Sequence, residues 1–246
     1  MTILWVIKYL EENKYHVKEI AWTSSWALIW SLYATWLSFQ EIYTICNKQK
    51  MKKIITLDLK NWLFKTGWLI EELESVYWNI TFDDLDVPLK VIATDFSDWS
   101  EVVIDSWPVL DAIRHTIRVP WIISFDNDTE TYVDWWLSNN LPVDKVESKK
   151  IVAVSSQWIW EYTSHTHTNI KWMEINTTLL TMPWRVAHRA LNIVLKNMED
   201  LRVKSYSDKK EIHLIRPNLQ DITSYSLNQL DIAIQRWYDE AKKVLW

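Results

Sequence analysis

The sequence predicts an α/β fold with a mostly parallel central sheet, and two observations support that prediction. Segments with the alternating pattern of strands take turns along the chain with segments of helical periodicity, which is typical of α/β proteins. The chain of 246 residues is also long enough to bury a sizeable core. No stretch rich in proline, serine or charge interrupts it, so residues 1–246 are expected to form a single domain.

The amino-terminal half is expected to open on an amphipathic helix and to pass through a short strand into a second helix. Apolar residues recur at helical spacing in the first segment and alternate in the strand. In chain order the predicted elements are a helix at Thr2–Glu12, a strand at Val17–Ala21, a helix ending near Tyr33, a helix at Leu37–Lys53 capped by Ser38, a loop at Asn61–Thr66 and a helix at Leu69–Tyr77. Because a helix precedes the first strand, we expect a βαβ unit whose own first strand is truncated.

The carboxyl-terminal half predicts a hairpin followed by alternating helices and strands. Two β-rich runs, Val87–Thr94 and Glu101–Ile104, flank a short turn. The later predicted elements are a helix at Val109–Ile117, strands at Thr131–Val133 and Lys149–Ser155, a helix at Leu179–Leu201, a strand at Glu211–Ile215 and a helix at Leu227–Leu245. No run is long and apolar enough to cross a membrane.

Composition and charge argue against several classes of protein. The net charge of −5 argues against nucleic acid as a partner. The single cysteine, Cys46, excludes an internal disulfide and is expected to be a buried small hydrophobic residue in a reducing, cytoplasmic environment. Residues 1–14 lack a basic segment before their apolar residues, so they are not expected to act as a signal peptide.

Two residue types occur in abnormal numbers. Glycine occurs once, at Gly67, where a chain of this length ordinarily carries about 17, and tryptophan occurs 19 times. A fold of this size needs glycine for positive backbone angles and close contacts. We therefore expect most tryptophans to stand where glycine belongs, as they would if UGA encoded glycine and were translated here as tryptophan. A tryptophan-rich carbohydrate- or lipid-binding protein is the alternative, but its turns would still require glycine.

The positions of individual tryptophans agree with this hypothesis. Trp99 follows an aspartate in the predicted hairpin turn, where Asp-Gly would be a strong signal. Trp78 ends a predicted helix at a site that favours glycine, and Trp107 stands beside a proline at a predicted turn. Trp26 and Trp30 are four residues apart on one helix face, where small residues would let the helix approach a sheet closely.

A serine stands at the apex of the strand, turn and helix predicted within Val17–Ala34. Trp22-Thr23-Ser24-Ser25-Trp26 has the form of the G-x-S-x-G nucleophile elbow, except that tryptophan occupies both glycine positions. Such an elbow exposes its central serine only if its flanks carry no bulky side chain, and the hydroxyl still needs a base. With glycine at both positions, Ser24 is the candidate nucleophile.

A second motif, Asp134-Trp135-Trp136, follows the predicted strand at Thr131–Val133 and becomes Asp-Gly-Gly under the same hypothesis. A carboxylate at the end of a strand can act as a general base, and glycines beside it let the backbone approach closely. On its own, Asp-Gly-Gly is more often an ordinary turn.

Three further blocks, and a longer form of the Asp134 motif, follow one known pattern together with the elbow. The blocks are Trp5–Glu12 (like G-V-L-x-x-L-E-E), Pro88–Asp95 with Asp98-Trp99 (like P-L-x-V-V-A-T-D…x-G), Ala112-Ile113-Arg114 with Pro120-Trp121 (like A-I-R-A-S…P-G) and Asp134–Trp136 with Asn140–Pro142 (like D-G-G…N-x-P). In these blocks the chain resembles the patatin-like phospholipase family over nearly its whole length. Each family glycine within them falls on a tryptophan here.

The resemblance implies a three-layer α/β/α fold and a serine acyl hydrolase that uses a Ser–Asp dyad. It implies that Ser24 is the nucleophile, that Asp134 is the base, and that no metal or cofactor is needed. The implied substrate is a phospholipid, a lysophospholipid or a simple acyl ester, met through peripheral contact with a membrane. Leu37–Leu63 is a candidate cover for the acyl site. Arg114 and Arg118 either face an anionic head group or form an exposed pair.

A Ser–Asp dyad needs no catalytic histidine, whereas a Ser-His-Asp triad does. None of the six histidines is expected to be essential, and His115, where the family usually has a small residue, is a candidate for lining the pocket. His165 and His167 lack a nearby acidic or cysteine cluster, so no metal site is expected. An alternative, a triad esterase on an α/β-hydrolase fold, would use His213.

The family's glycine-rich loop, G-G-G-x-[KR]-G, which forms the oxyanion hole before the first helix, has no counterpart in this sequence. Met1 is therefore expected to be an internal methionine with that loop upstream. Without the loop, a catalytically silent binding or regulatory module is the alternative, because loss of one oxyanion donor alone costs on the order of 10²–10³ in rate.

Overall fold

The computed structural model describes helices and strands in the mixed order expected of an α/β protein. The residues it describes are 4–35, 37–48, 56–58, 63–65, 73–118, 123–124, 132–133, 136–155, 167–170, 173–176, 178–219 and 230–246. The chain divides into two compact units: Leu10–Ile151 with Met1 form unit 1, and Thr2–Tyr9 with Val152–Trp246 form unit 2.

The described elements are labelled in chain order. They are α1 (Leu4–Glu12), β1 (Ile20–Thr23), α2 (Ser24–Ala34), α3 (Phe39–Lys48), β2 (Thr56–Asp58), β3 (Leu63–Lys65), a helical segment at 73–77 (α4), a 3₁₀ turn (Phe82–Asp84), β4 (Leu89–Asp95), β5 (Glu101–Ile104), α5 (Val109–Ile117), β6 (Ile123–Ser124), β7 (Tyr132–Val133), α6 (Trp136–Asn139), β8 (Lys150–Val154), β9 (His167–Ile170), β10 (Met173–Asn176), α7 (Thr178–Tyr206), β11 (Glu211–Ile215) and α8 (Leu230–Leu245).

The sheet that organises unit 1 is built on β4. This strand pairs in parallel with β1 and antiparallel with β5 and with β7. Helices α2 and α5 contact both each other and β4. Their buried apolar residues cover the strand, whose Val91, Ile92 and Ala93 are almost completely buried. This sheet is therefore the part of unit 1 on which the candidate site is positioned.

The predicted mostly parallel sheet is not what the described pairings form. One of the three pairings of β4 is parallel and two are antiparallel, so the sheet is mixed. For β5 the cause is its short connection to β4, because parallel neighbours need a crossover of about a dozen residues or more. The predicted hairpin itself is confirmed, as is the helix at Val109–Ile117.

Three other local predictions need correction. The first strand begins at Ile20 and ends at Thr23, nearer the elbow than predicted. The predicted loop at Asn61–Thr66 contains β3, because its apolar residues pair with β2 and β6. At the end of α4 the left-handed residue is Asn79, with φ 57°, rather than Trp78, since asparagine tolerates this conformation well.

Helix α3 begins where its cap predicts. The backbone N–H and the hydroxyl of Ser38 both donate to the Glu41 carboxylate, at 2.8 and 2.6 Å. The Ser38 hydroxyl in turn accepts a longer bond from the Glu41 N–H, at 3.4 Å. This reciprocal arrangement is a capping box, which satisfies donors that the first helical turn leaves open. The predicted end of this helix at Lys53 lies outside the described residues.

The described part of unit 2 contains the long helices α7 and α8 and two strand pairings, with the first two residues of β8 belonging to unit 1. Strand β9 pairs antiparallel with β10, and β8 pairs with β11. Glu199 of α7 is completely buried and accepts hydrogen bonds from Ser155 and Arg216, at 2.5 and 2.7 Å. Burial raises the pKa of Glu199 despite these partners. The buried Glu199 carboxylate is therefore paired and hydrogen-bonded, as a buried charge requires.

The backbone angles bear on the excess of tryptophan. Among the described residues, five that are not glycine have positive φ: Lys14 (56°), Ser24 (61°), Asn79 (57°), Trp99 (65°) and Trp107 (88°). Positive φ is uncommon for bulky residues, because the Cβ atom crowds the backbone. Two tryptophans therefore occupy conformations that favour glycine, and both were predicted to do so.

Buried indoles give a second observation of the same kind. The Nε1–H groups of Trp30 and Trp237 are buried, and no hydrogen-bond acceptor reaches them in the part of the chain that the structure describes. A buried donor without an acceptor costs about 1–3 kcal/mol. Glycine at these positions would carry no such donor, which supports the hypothesis that these tryptophans stand at glycine sites.

The left-handed backbone at Trp99 can be tested by comparing two substitutions that both remove the indole. We expect Trp99→Gly to be more stable than Trp99→Ala by about 1 kcal/mol, because only glycine escapes the Cβ penalty at positive φ. At exposed Trp78, whose φ is not positive, we expect the order to reverse, since glycine loses more backbone entropy on folding. Urea denaturation of the four variants measures both differences. The same order of stability at both positions would contradict the assigned backbone.

Candidate active site

The turn between β1 and α2 places Ser24 in a strained conformation. Thr23 is extended, with φ −122° and ψ 150°, and the helix begins at Ser24, whose φ is 61°. A residue with a Cβ atom in the left-handed region costs about 1–2 kcal/mol, so the surrounding structure holds Ser24 there. A strained strand-to-helix turn with serine at its apex is the geometry that the elbow motif predicts.

The backbone amide of this serine is bound by a side chain from another helix. The Ser24 N–H donates to Thr116 Oγ1 at 2.7 Å. The Thr116 hydroxyl donates in turn to the Ile92 carbonyl of β4, at 2.6 Å. Thr116 is fully buried, whereas Ser24 is half-buried. The hydroxyl of one α5 residue therefore joins the elbow to the central strand.

Strand β4 also brings the end of β7 to the elbow. Thr23 at the end of β1 pairs with Ile92, and Val133 at the end of β7 pairs with Thr94. Glu101 of β5 pairs with Thr94 on the other edge of β4, so β1 and β7 share one edge. Because β7 is antiparallel to β4, the chain in β7 runs toward the end of β1 that carries the elbow.

The segment after β7 is fastened to the same place. The Thr23 hydroxyl donates to the Asn139 carbonyl at 2.6 Å, and the Thr94 hydroxyl donates to Ser138 Oγ at 2.7 Å. Thr23, Thr94 and Asn139 are all buried. Buried hydroxyls need partners, so both bonds fix α6 against the strand ends.

The predicted Asp-Gly-Gly motif lies between these two anchored segments. Asp134 and Trp135 are outside the described residues, and Trp136 is the first residue of α6. Val133 before the motif and Asn139 after it both lie beside the elbow. The structure therefore brings the chain on both sides of the candidate base to the candidate nucleophile.

The predicted glycine-like positions of the elbow carry side chains that pack inside the unit. The rings of Trp22 and Trp30 are stacked, with centroids 5.8 Å apart and planes 10° apart, and both are buried. Trp26 is half-buried, and Ser25 lies in α2 with its side chain outside the described part. The strained residue is Ser24 itself, whereas neither Trp22 nor Trp26 has positive φ.

A carboxylate orients the residue that receives the Thr23 hydroxyl. Asp144 Oδ1 accepts a hydrogen bond from Asn139 Nδ2 at 3.0 Å, and the Lys145 ammonium lies 3.0 Å from Asp144 Oδ2. Burial alone would raise the pKa of Asp144, but the bonds from Asn139 and Lys145 outweigh it and lower the pKa. Lys145 also pairs with Glu101 of β5. The ionised form of Asp144 is thus the one that supports α6.

His115, a candidate for lining the pocket, and Arg114, a candidate for facing an anionic head group, both make contacts with described residues. His115 is buried and makes edge-to-face contacts with Trp107 and Tyr132, at 5.8 and 5.3 Å between ring centroids. Arg114 pairs with Glu74 at 2.7 Å and with Asp111 at 3.2 Å. Two carboxylates therefore engage the Arg114 guanidinium, for which both a head-group ligand and an exposed pair with Arg118 were expected alternatives.

The histidine that a triad would require is engaged within unit 2. His213 Nε2 lies 2.6 Å from Glu211 Oε1, and Nδ1 lies 3.3 Å from the Val244 carbonyl. Both ring nitrogens face acceptor oxygens, whereas a general base must turn one nitrogen toward the serine hydroxyl. His165 and the side chains of His167, His188 and Cys46 lie outside the described part of the chain.

A cavity of about 490 Å³ lies elsewhere in unit 1. Glu11, His16, Tyr33 and Asp86 are among the residues that line it. His16 precedes β1 and Tyr33 lies near the end of α2, so the cavity is at the end of β1 opposite Ser24. Ligands of α/β sheets ordinarily bind at the carboxyl ends of the strands, where the elbow is, so this cavity is not the candidate site.

The described residues contain neither a metal-binding cluster nor a membrane-spanning helix. No group of three or more histidine, cysteine, aspartate or glutamate side chains there could hold a metal ion. None of the helices described is both long and apolar enough to cross a bilayer. No model of a known protein family matches the chain.

The sequence did not reveal the residues that hold the elbow. Thr116 and Asn139 stand 92 and 116 positions from their partners, so local pattern could not connect them. One signal was present for Thr116. Ala112-Ile113-Arg114 begins the A-I-R-A-S block, and Thr116 stands at the position of its serine, which also carries a hydroxyl. The role of Asn139 depends on a backbone carbonyl, which leaves no signature in the residue type.

The hydrogen bond from Asn139 to the Asp144 carboxylate predicts that the free energy of unfolding depends on pH. At pH 7 we expect Asp144→Asn to lower the free energy of unfolding by about 1.5–3 kcal/mol, since hydrogen bonds to charged groups contribute about that much. Because folding lowers the pKa of Asp144, this stability is present above the ordinary aspartate pKa and is lost as the pH falls through the folded value. The difference from wild type should therefore shrink below about pH 4.

Urea denaturation at pH 7 and at pH 3 measures this difference. Asp105→Asn is the matched control, because Asp105 is an exposed aspartate of the same unit. The control should change stability little at either pH. A loss of equal size at both pH values for Asp144→Asn would contradict the role given to its carboxylate.

Proposed function

We propose that the protein is a serine acyl hydrolase of the patatin-like phospholipase type, with Ser24 as nucleophile and Asp134 as general base. One observation carries the proposal: Ser24 has a left-handed backbone at a strand-to-helix turn, and the chain on both sides of Asp134 is fastened beside that turn. The proposal includes the three-layer α/β/α fold of that family. Strands β1 and β4 with helices α2 and α5 would belong to it.

The proposed reaction proceeds in two steps. Asp134 takes the hydroxyl proton of Ser24 while the serine oxygen attacks the ester carbonyl. The carbon–oxygen bond to the alcohol breaks, the alcohol leaves with the proton, and an acyl-serine remains. A water molecule then attacks the acyl carbon while Asp134 accepts a proton from it. The bond between the acyl carbon and the serine oxygen breaks, the proton passes from Asp134 to Ser24, and the fatty acid is released. The step needs no metal or cofactor.

The proposed substrate is an acyl ester, either of a lipid or of a simple alcohol. A strained elbow aims the serine oxygen at a carbonyl carbon, which is the chemistry shared by all these esters. A lipid ester would be reached through peripheral contact with a membrane surface. Because Arg114 is engaged by two carboxylates, the proposal assigns no head-group ligand to it.

A catalytically silent binding or regulatory module is the second candidate, and one observation favours it. The sequence contains no glycine-rich run that could supply oxyanion donors. Such a module would keep the elbow as a structural turn without hydrolysing an ester.

The proposal predicts a burst of para-nitrophenol when the protein, expressed from its complete natural gene, meets a para-nitrophenyl acyl ester. Ser24→Ala should lower turnover by at least about 10⁴-fold, because it removes the nucleophile. Asp134→Asn should also remove most of the activity, because an amide cannot accept the proton. Stopped-flow absorbance measures the burst and the later steady rate.

Two matched variants separate the proposal from its rivals. Ser31→Ala removes another buried hydroxyl of α2, which bonds to Tyr77 and to the Leu28 carbonyl, and should leave the burst intact. His213→Ala should also retain it. Loss of activity in a folded His213→Ala variant would favour the triad esterase. Absence of any burst in the wild-type protein would favour the silent module.

A further inference from the structure

We propose that Thr116 is a positioning residue for Ser24: its hydroxyl holds the amide of the nucleophile and so fixes the left-handed turn. Its effect on reaction rate rests on the proposed function, whereas its effect on the backbone of the turn does not. The two hydrogen bonds of the Thr116 hydroxyl, 2.7 Å from Ser24 N and 2.6 Å to the Ile92 carbonyl, carry the inference.

The hydroxyl fits this task because it has both a donor and acceptor capacity. Its proton goes to the Ile92 carbonyl, and a lone pair receives the Ser24 N–H. A methyl group or an ammonium at position 116 could supply at most one of these bonds. Threonine and serine are the small residues that can make both.

The location of Thr116 makes the connection stiff. Thr116 has no exposed surface, and its α5 neighbours Ala112 and Ile113 are also fully buried. Helix α5 contacts both α2 and β4, the two elements that the hydroxyl joins. A bond held by a buried side chain has few ways to rearrange, so the Ser24 amide stays in one direction.

The direction of the amide decides where the serine oxygen lies. A change from positive to negative φ at Ser24 would release the strain of about 1–2 kcal/mol, and it turns the peptide plane before Ser24 relative to the Cα atom that carries the side chain. Because α2 packs against α5 and β4, part of this turn would fall on the peptide plane. The Thr116 bond opposes it, since the N–H would have to leave its acceptor. In a nucleophile, a misplacement of about 1 Å can cost on the order of 10²-fold in rate.

The test uses variants at position 116 and two independent readouts. Thr116→Val keeps the shape and removes the hydroxyl, Thr116→Ser keeps the hydroxyl, and Thr116→Ala leaves room for a water molecule to replace it. If the valine variant does not fold, the alanine and serine variants give the same comparison. The control for general loss of stability is Ser31→Ala, which removes a fully buried hydroxyl of α2 away from the elbow.

The first readout is hydrogen exchange at the Ser24 amide. We expect the valine or alanine variant to exchange this amide about tenfold faster than wild type, because the bond that protects it is lost. The serine variant should restore slow exchange, and Ser31→Ala should leave it unchanged. Equal exchange in all variants would overturn the inference, whatever the protein does catalytically.

The second readout is the rate of labelling by an alkyl fluorophosphonate. The Ser24 oxygen forms a bond to phosphorus, the phosphorus–fluorine bond breaks, fluoride leaves, and the serine proton passes to Asp134. We expect labelling to slow by about 10- to 100-fold in the valine or alanine variant and to return with serine. Labelling at the wild-type rate in a folded variant without the hydroxyl would overturn the catalytic part of the inference.

The two readouts together distinguish failure of the proposed function from failure of the inference about Thr116. If wild-type protein is not labelled but the amide exchange responds to Thr116 as expected, the proposed function fails and the structural role of Thr116 stands. If wild-type protein is labelled and neither readout responds to Thr116, the proposed function stands and the inference is wrong.

Discussion

The left-handed backbone of Ser24 is the constraint on which the candidate site depends. A serine adopts this conformation at a cost, and the surrounding hydrogen bonds must hold it there. Strand β1 fixes the chain before the turn through its pairing with β4, and the Thr116 hydroxyl fixes the amide at the turn itself. The helix that follows can then start only in one direction.

Strand β4 converts this local constraint into a site. It pairs with β1 up to Thr23, with β7 at Val133 and with β5 along its other edge. Segments far apart in the chain therefore end beside one another. The Asp144 carboxylate supports this site from the next layer of residues. It accepts a hydrogen bond from the Asn139 side chain, and the Asn139 carbonyl accepts one from the Thr23 hydroxyl.

The sequence predicted the parts of this arrangement that local pattern determines. The alternation of β4 and β5, the periodicity of α5 and the turn at Ser24 were all visible in it. Pairing and partners were not visible: β3 lay in a segment expected to be a loop, and Thr116 and Asn139 reach the elbow only after folding. The tryptophan count pointed to glycine sites, and the positive φ of Trp99 and Trp107 agrees with two of them. The prediction of a glycine site at Trp78 was wrong by one residue, because the neighbouring Asn79 has the left-handed backbone.

The most direct measurement of the central claim is to identify the residue that carries the acyl group. The complete protein would be quenched in acid during turnover of a para-nitrophenyl ester, digested, and sequenced by tandem mass spectrometry. The account predicts an acyl adduct on Ser24. An adduct on Ser155, the buried serine that lies beside the Glu199 carboxylate, or on any other residue, would contradict it.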